Sequence, residues 1–280
     1  MKAIVNAPVC PLMSQPRFDC EKADEALFGM VVEVLEETTA GFWRVRTHYR
    51  YEGYAPVNCL ILGDKTANWW EGLPKKVVLH KNFCDVQAGP KVQSWTQVTL
   101  PRGAAVGVTE GPETDPETGK PTSWQCVILP DGQEGYMRSS WLDTYYEAPI
   151  GLPEEALRQR LCDTARLYLR TQYRWGGKSP LGIDCSGLAS MGYLLNGIII
   201  YRDAKIMEGF PIHEIPREAM KPGDLMYFPG HVAMYLGEDR YIHSTGKAGS
   251  DGVVVNSLDP EAPDYRPDLP EKLTAVGSYF

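Results

Sequence analysis

Residues 182–190 read GIDCSGLAS, and the nine residues before them, 173–181, read YRWGGKSPL. This stretch decides the fold of the C-terminal half, because it turns from a glycine-rich loop into a helical pattern at Cys185. Apolar residues recur at helical spacing over 188–195, and Asn-Gly at 196–197 is a typical C-terminal cap. The pattern therefore places Cys185 at the N-terminus of a helix.

A cysteine in that position is suited to nucleophilic attack. The positive end of a helix lowers the pKa of a thiol, and its free N–H groups can hold the oxyanion of a tetrahedral intermediate. The flanking glycines allow a sharp turn and a close approach of substrate. Asp184 and Ser186 can either cap the helix or touch the substrate, and the residues leave both roles open.

Two of the five histidines supply a base for the thiol. His231 begins a predicted strand directly after Pro229-Gly230, and His243 follows 12 residues later on the next strand. A turn at 237–239 makes the two strands an antiparallel pair. One imidazole can then deprotonate the thiol while the other orients it.

Plainer interpretations compete with this one. A cysteine flanked by glycine and serine is more often a small packed residue, and a strand histidine is usually structural. A zinc site built from Cys185, His231 and His243 would lack a fourth local ligand, and we therefore expect no metal.

Composition limits the class of protein. The chain has 280 residues and a formal net charge of −8, which argues against nucleic acid or an anionic membrane surface as a partner. The seven cysteines are scattered without a CxxC pair, which favours a reducing compartment. The first 13 residues make a poor signal peptide, and no apolar run approaches the roughly 20 residues of a membrane span. We expect a cytoplasmic protein that needs no cofactor.

A weak internal repeat covers the first half. VCPLMSQP at 9–16 matches FCDVQAGP at 83–90, and Glu-Gly-Tyr at 52–54 recurs at 134–136. Trp43 with Val45, and Trp124 with Val127, stand between these matches, and the polar insertion at 110–122 absorbs the difference in spacing. Each copy alternates short strands with turns, which predicts two small β-barrels.

The second half reads as an α+β domain. An amphipathic helix is predicted from Pro153 to about Gln172, and the helix at Cys185 follows. Strands are then predicted at 224–228, 231–236, 240–244 and 252–256.

Four strings carry a family resemblance: YRWGG-x-SP-x-GIDCSGL, KPGDLMYF, GHVAMYLG and YIHSTG. They resemble the NlpC/P60 cysteine peptidases over about the last 130 residues, and the first half resembles bacterial SH3 (SH3b) domains. The resemblance implies SH3b domains at 1–68 and 75–146 before a papain-like catalytic domain at 151–280. The whole arrangement resembles the dipeptidyl-peptidase VI type of γ-D-glutamyl-L-diamino acid endopeptidase, which trims cell-wall (murein) peptides.

The resemblance implies roles for individual residues. Cys185 would be the nucleophile, His231 the general base and His243 the residue that orients it. In this subgroup the first SH3b domain closes a pocket around the free amine of an N-terminal L-Ala. The matching substrate-binding positions are Glu25 and Tyr51 in the first half and Asp184, Ser186 and Asp203 in the second.

One position departs from the family pattern. Ala204 stands where the family often has a serine after the aspartate, so one hydrogen bond to the substrate would be missing or replaced. The amine pocket itself is physically reasonable, because burying an ammonium without partners is costly. An N-acylated peptide would leave the pocket's acids unpaired and be rejected.

The leading hypothesis is thus an endopeptidase that cuts the amide between γ-D-Glu and a diamino acid in free murein peptides, releasing L-Ala-D-Glu for recycling. A second hypothesis is a peptidoglycan-binding SH3b protein without activity. A third keeps the enzyme class but makes it a wall amidase or acyltransferase.

Overall fold

The computed structural model describes residues 1–38, 40–109, 111, 113–114 and 118–280. The insertion predicted at 110–122 therefore lies partly outside the described residues. The chain divides into two units, Met1–Tyr145 and Tyr146–Phe280.

Two seven-stranded antiparallel sheets build the first unit. The strands of the first sheet are β1 (Lys2–Val5), β2 (Val9–Met13), β3 (Lys22–Leu27), β4 (Val31–Glu37), β5 (Phe42–Thr47), β6 (Glu52–Pro56) and β7 (Leu60–Leu62). Helix α1 (Asp64–Glu71) follows. The strands of the second sheet are β8 (Lys75–Val78), β9 (Phe83–Gln87), β10 (Thr96–Pro101), β11 (Ala105–Val108), β12 (Trp124–Ile128), β13 (Glu134–Arg138) and β14 (Leu142–Thr144).

The two sheets repeat one topology. Their strand orders are β3-β2-β6-β5-β4-β1-β7 and β10-β9-β13-β12-β11-β8-β14, which correspond strand for strand. The residues matched in the sequence fall on corresponding strands, Cys10 and Cys84 on β2 and β9, and Tyr54 and Tyr136 on β6 and β13. Equal strand order with matched residues is what a duplication produces.

Within this unit the two sheets are joined by close packing. Phe28, from the first repeat, belongs to the buried core of the second. Gly29 has φ +80°, and a Cβ placed on it would lie 2.4 Å from the carbonyl oxygen of Ala105. Trp70 of α1 donates its indole N–H to the carbonyl of the same glycine at 2.7 Å. Only glycine fits this contact.

The second unit has an α+β layout, as predicted. Its elements are α2 (Glu154–Arg166), β15 (Lys178–Ser179), β16 (Gly182–Ile183), α3 (Cys185–Leu194), β17 (His213–Ile215), β18 (Leu225–Phe228), β19 (His231–Gly237), β20 (Arg240–Thr245), β21 (Gly252–Ser257) and β22 (Ala275–Ser278). Six of the strands form an antiparallel sheet in the order β17-β22-β18-β19-β20-β21. Helix α3 packs on β19 and β20 and on α2.

Helix α2 is shorter than predicted, since it ends at Arg166 rather than near Gln172. The N–H groups of Tyr168 and Leu169 bond the carbonyls three residues back, which tightens the chain out of the α-helix. Arg170 then adopts φ +68°, which ends any right-handed helix. Apolar spacing continues past the helix because Tyr168 is buried in this turn.

The hairpin of β19 and β20 is antiparallel, as predicted. Glu238 and Asp239 in its turn have φ +50° and +54°, the left-handed values that match the twist of a tight hairpin. Among the described residues, every helix is too short or too polar to cross a bilayer.

Candidate active site

Cys185 is the first residue of α3, where the sequence places it. Asp184 before it has extended backbone and caps the helix, since its Oδ1 accepts the N–H of Gly187 at 2.5 Å. The cap uses one of the N–H groups that a helix leaves without an internal partner. The start of the helix is therefore fixed at the cysteine.

The glycines around Cys185 serve close backbone packing. A Cβ on Gly187 would lie 2.2 Å from the carbonyl oxygen of Gly177, and one on Gly177 would lie 2.3 Å from that of Gly182. The sequence predicts that the flanking glycines allow a sharp turn and a close approach of substrate. In the structure they let the β15–β16 hairpin lie directly against the first turn of α3.

A buried arginine holds the residues on either side of Cys185. Arg202, only 2 % exposed, pairs with Asp184 through Nη2–Oδ2 at 3.0 Å and Nη1–Oδ1 at 3.1 Å. Its Nη1 also donates to the Ser186 hydroxyl at 2.7 Å, and that hydroxyl donates to Asp184 Oδ1 at 3.2 Å. The polar side-chain atoms of Asp184 and Ser186 thus make their hydrogen bonds to other groups of the protein.

The sequence predicts a role for Asp203 but none for Arg202, the residue directly before it. An arginine between an aromatic residue and an acid carries no local signal of burial. Asp203 itself is half-buried. Burial, followed by the charge of Asp203 and a hydrogen bond to it, raises the pKa of the Tyr201 phenol.

His231 and His243 lie on one face of the sheet, on adjacent strands. Met234 of β19 pairs with Ile242 of β20, so continuing this register by one residue puts His243 opposite Ala233. Ala233 and His231 are two residues apart and share a face. The histidines are therefore diagonal neighbours, within reach of long side chains.

The same diagonal step continues onto β21. His243 pairs with Val254, and Asn256 lies two residues further along the same face. The resulting row is hydrogen-bonded: His231 Nε2 lies 2.8 Å from His243 Nδ1, and His243 Nε2 lies 2.9 Å from Asn256 Oδ1. Asn256 is not among the residues predicted for the site, since its one local signal is that a polar residue follows the apolar run GVVV.

The sulfur of Cys185 lies against the start of β19. The backbone N–H groups of Val232, the residue after His231, and of Ser186 are near enough to the sulfur to lower the pKa of the Cys185 thiol. Tyr173, which bridges to Ile183 just before the site, also lies near the sulfur. Burial, with the neighbouring Cys185 and Asp184, raises the pKa of the Tyr173 phenol to about 12.

The thiol differs from the expectation of a lowered pKa. Cys185 is 8 % exposed, and burial followed by the charge of Asp184 raises its pKa to about 11. The two N–H donors and Arg202 act in the opposite direction but are outweighed. A helix N-terminus offers only a partial charge, whereas removing a thiolate from water penalises its full charge.

Burial also keeps the two imidazoles neutral. It lowers the pKa of His231 to about 4, with a further contribution from the Arg266 guanidinium, while Asp268 acts in the other direction. It lowers the pKa of His243, which is fully buried, to about 3. Burial thus favours the neutral form of the thiol and of both imidazoles.

The two remaining predicted site residues lie in the first unit. Glu25 on β3 is buried, and its Oε1 lies 2.6 Å from Lys22 Nζ. Tyr51 is half-buried in the turn before β6. Next to Glu25, Asp24 accepts the Tyr49 hydroxyl at 2.6 Å. Within the described residues, no group of three or more acidic, histidine or cysteine side chains is arranged to hold a metal ion.

Comparisons with known proteins bear on both units. The NlpC/P60 family matches residues 170–265. Dipeptidyl-peptidase 6 of Lysinibacillus sphaericus is 46 % identical over 280 residues, the whole of both chains. A γ-D-glutamyl-L-lysine dipeptidyl-peptidase of Bacillus cereus is 33 % identical over 126 residues, which are 42 % of this chain and 37 % of that protein.

A solved structure matches the fold. The crystal structure of an NlpC/P60 family protein from Bacillus cereus aligns with a TM-score of 0.78 and covers 100 % of this chain and 99 % of its own. The two are 21 % identical, so this likeness concerns the fold alone.

Proposed function

The chain belongs to the NlpC/P60 family of cysteine peptidases, and we propose that Cys185 is its nucleophile, His231 its general base and His243 the residue that orients the base. One observation carries the assignment: the thiol at the first residue of α3 lies near the backbone N–H of Val232, and the ring of the adjacent His231 is hydrogen-bonded to His243.

The first half-reaction forms a thioester. Cys185 Sγ attacks the carbonyl carbon of the scissile amide while its proton passes to His231. Because burial keeps both groups neutral, proton transfer accompanies the attack and a separate ion pair is not needed beforehand. The backbone N–H of Cys185, in the first turn of the helix, is suited to hold the developing oxyanion.

The tetrahedral intermediate then collapses. The C–N bond breaks, His231 returns its proton to the leaving amine, and the acyl group remains on sulfur. In the second half-reaction His231 takes a proton from water, which attacks the thioester carbon. Collapse expels the thiolate, which recovers the proton from His231 and restores the neutral pair.

We propose that the scissile bond joins the γ-carboxyl of D-Glu to a diamino acid in a murein peptide, so that L-Ala-D-Glu is released. The name dipeptidyl-peptidase 6, of the relative that aligns over the full chain, supports release of a dipeptide. The γ-D-glutamyl-L-lysine dipeptidyl-peptidase of Bacillus cereus, which aligns over 126 residues, supports the γ-D-glutamyl bond. A role in recycling cell-wall peptides in the cytoplasm belongs to the same proposal.

The proposed substrate has a free N-terminal L-Ala. Its ammonium requires negative partners when it leaves water. We carry Glu25, Tyr51 and Asp203 over from the family resemblance as the candidates for this role. Asp184 and Ser186 contribute by holding Cys185 in place, because Arg202 and the helix cap already occupy their polar atoms.

The two sheets of the first unit are proposed to be SH3b-like domains within 1–68 and 75–146, ahead of a catalytic domain at 151–280. Their common strand order supports a duplicated module. Such modules also suit the alternative function of a peptidoglycan-binding protein. The position of the Cys185 thiol near the backbone of Val232, on the strand that begins at His231, favours the enzyme.

Digestion of defined muropeptides tests the proposal. The tripeptide L-Ala-γ-D-Glu-diaminopimelate and its N-acetylated form are incubated with the full chain, and products are identified by mass spectrometry. We expect L-Ala-D-Glu from the free peptide. The acetylated peptide should be cleaved at least about 100-fold more slowly, because without the ammonium the buried polar groups of the pocket are left unpaired.

Each outcome separates one alternative. Equal cleavage of both peptides would disprove the amine pocket while leaving the nucleophile intact. Cleavage at the L-Ala amide of glycan-linked peptides would instead identify an amidase. Sedimentation with intact peptidoglycan, without product from either peptide, would identify a binding protein.

A further inference from the structure

The hydrogen-bonded row of histidines does not end at His243. Asn256 on β21 accepts from His243 at one end of its amide, and the other end is also engaged. Its Nδ2 donates to the backbone carbonyl of Asp264 at 2.6 Å. Asn256 is 8 % exposed, so neither end of the amide is free to exchange its partner for bulk water.

The carbonyl of Asp264 determines which way the amide points. A backbone carbonyl only accepts hydrogen bonds, so the atom facing it must be the NH₂ group of Asn256. The amide oxygen then faces His243 Nε2 at 2.9 Å. The reverse orientation would place two acceptors together at Asp264 and leave buried groups unpaired, at a cost of about 1–3 kcal/mol for each.

The direction of the whole row follows from that oxygen. An amide oxygen accepts only, so His243 Nε2 must carry the proton and Nδ1 of the neutral ring must be the acceptor. His231 Nε2, 2.8 Å away, then donates to it. The proton of His231 is thereby placed on Nε2, and its Nδ1 keeps the lone pair.

Two directions would satisfy the histidine pair by itself. In the opposite one, His243 Nδ1–H donates to His231 Nε2, and the proton of His231 lies on Nδ1. Nδ1 of His231, the nitrogen that would face the thiol, then has no lone pair, so the ring cannot serve as the base. The histidines alone do not choose between these arrangements.

We propose that Asn256 is a positioning residue that selects the active tautomer of both histidines, so that His231 presents an unprotonated Nδ1 for the proton of Cys185. Asn256 acts on the thiol through His243 and His231, and it need not touch the substrate. The kinetic part of this proposal rests on the proposed function, whereas the tautomers can be observed without any substrate.

Other charged and titratable groups around the pair must be considered in any pH measurement. Arg266 and Asp268 act on both histidines with opposite signs, and Arg266 donates to Thr245 on β20. The ring of Tyr241 lies 5.2 Å from that of His243. None of these groups is changed by a substitution at Asn256.

Imidazole ¹⁵N spectra of the full chain test the tautomers directly. In the wild type at pH 7 we expect both rings to show a protonated Nε2 and an unprotonated Nδ1. In Asn256→Ala we expect the two directions to mix, so that His231 gains a protonated Nδ1. In Asn256→Asp one carboxylate oxygen still accepts from His243, so the wild-type tautomers should persist, while the other oxygen loses the hydrogen bond to the Asp264 carbonyl and the variant should be less stable.

Kinetics with the free tripeptide give a second measurement. Asn256→Ala should lower kcat by about 10- to 100-fold with little change in KM, because the loss is in general-base catalysis. Asn256→Asp should retain much of the activity and move the acid limb of kcat to higher pH, since its negative charge favours imidazolium.

Asn196→Ala is the matched control. Asn196 is a fully buried asparagine of the same unit whose Nδ2 donates to Thr164 Oγ1 and to the Gly192 carbonyl, away from the histidines. It should lose stability but keep both tautomers and the pH profile.

A wild-type His231 protonated on Nδ1 would overturn the proposal, as would an Asn256→Ala protein with unchanged tautomers and kcat. If Asn256→Ala does not fold, the wild-type spectrum and Asn256→Asp decide the matter. Wild-type tautomers as expected, together with failure to cleave the tripeptide, would contradict only the proposed substrate.

Discussion

His231 Nε2 and His243 Nδ1 lie 2.8 Å apart, although the two residues are not directly opposite each other on β19 and β20. The diagonal offset lets the two rings meet edge to face, with an interplanar angle of 82°. A shift of the register by one residue would turn His243 to the other face of the sheet and break the row. The pairing of these strands is therefore a requirement of the proposed chemistry.

Loss of the thiol should abolish catalysis. Cys185→Ala removes the proposed nucleophile, and we expect release of L-Ala-D-Glu to fall by at least about 1000-fold. Cys162→Ala is the control, since this buried thiol on α2 also has its pKa raised to about 11 but bonds the Tyr235 carbonyl. Mass spectrometry of the products compares the two. Activity remaining in Cys185→Ala would remove the thiol mechanism.

The acid limb of kcat/KM should lie well below the usual histidine range. His231 must be neutral to accept a proton, and its pKa is lowered to about 4, so activity should rise as the pH rises through that value. Arg266→Gln removes a positive charge that lowers this pKa and should move the limb to higher pH, whereas Arg266→Lys should leave it nearly unchanged. Initial rates measured from pH 3 to 8 report the limb; a wild-type limb near 6.5 would contradict the burial argument.

The same burial makes stability depend on pH. Unfolded histidines bind protons near pH 6.5, but folded His231 and His243 do so only near 4 and 3. The unfolded state thus binds more protons between these values, and the free energy of unfolding falls as the pH falls through that window. Each histidine should contribute a slope of up to about 1.4 kcal/mol per pH unit. Urea denaturation at pH 7, 6 and 5 should show a smaller loss for His243→Gln than for the wild type.

The buried pair of Arg202 and Asp184 should be costly to break singly. Arg202→Met leaves the Asp184 carboxylate buried without its partner, and we expect a loss of about 3–5 kcal/mol in the free energy of unfolding. The double variant Arg202→Met with Asp184→Asn should recover part of it. Arg166→Met, which removes the exposed pair with Asp163, should cost at most about 1 kcal/mol. Equal losses for the buried and exposed pairs in urea denaturation would show that burial is not the cause.

A methyl group on Gly187 should disturb the start of α3. The new Cβ would lie 2.2 Å from the Gly177 carbonyl oxygen, so the hairpin and the helix must move apart. We expect Gly187→Ala to lose about 1–3 kcal/mol of stability and to lose activity, because Cys185 moves with the helix. Gly151→Ala, where nothing lies within 4 Å of the new Cβ, is the control. Thermal denaturation and peptide cleavage measure the two effects, and a fully active Gly187→Ala would show that the contact can relax without moving the thiol.

Local patterns predicted most of the secondary structure around the site. Alternation of apolar and polar residues located the strands that carry His231 and His243, and helical spacing with a cap located α3. The end of α2 was wrong because Tyr168 keeps the apolar spacing while the backbone has already left the helix. The spacing of apolar residues indicates which side chains are buried. It does not distinguish a helix from a turn, because either can bury a side chain.

The partners of the site residues could not be predicted in the same way. Arg202 and Asn256 meet the site through a loop and a neighbouring strand, and neither is marked by a local motif. The pKa of Cys185 was expected to fall because the helix N-terminus is visible in the sequence. The burial that raises it instead depends on how the hairpin, α3 and β19 pack together.

The sequence by itself determined the chemical groups and their local settings: a thiol at a helix start, two imidazoles on a hairpin, and a duplicated set of strands. Those features depend on residue type and short-range spacing, which the chain carries along its length. Only the tertiary structure decided three further properties. These are the pKa values of the thiol and the imidazoles, the direction of the hydrogen bonds through Asn256, and the ion pair between Arg202 and Asp184. Burial and hydrogen-bond direction depend on groups far apart in the chain, and they come into being only when those groups pack together.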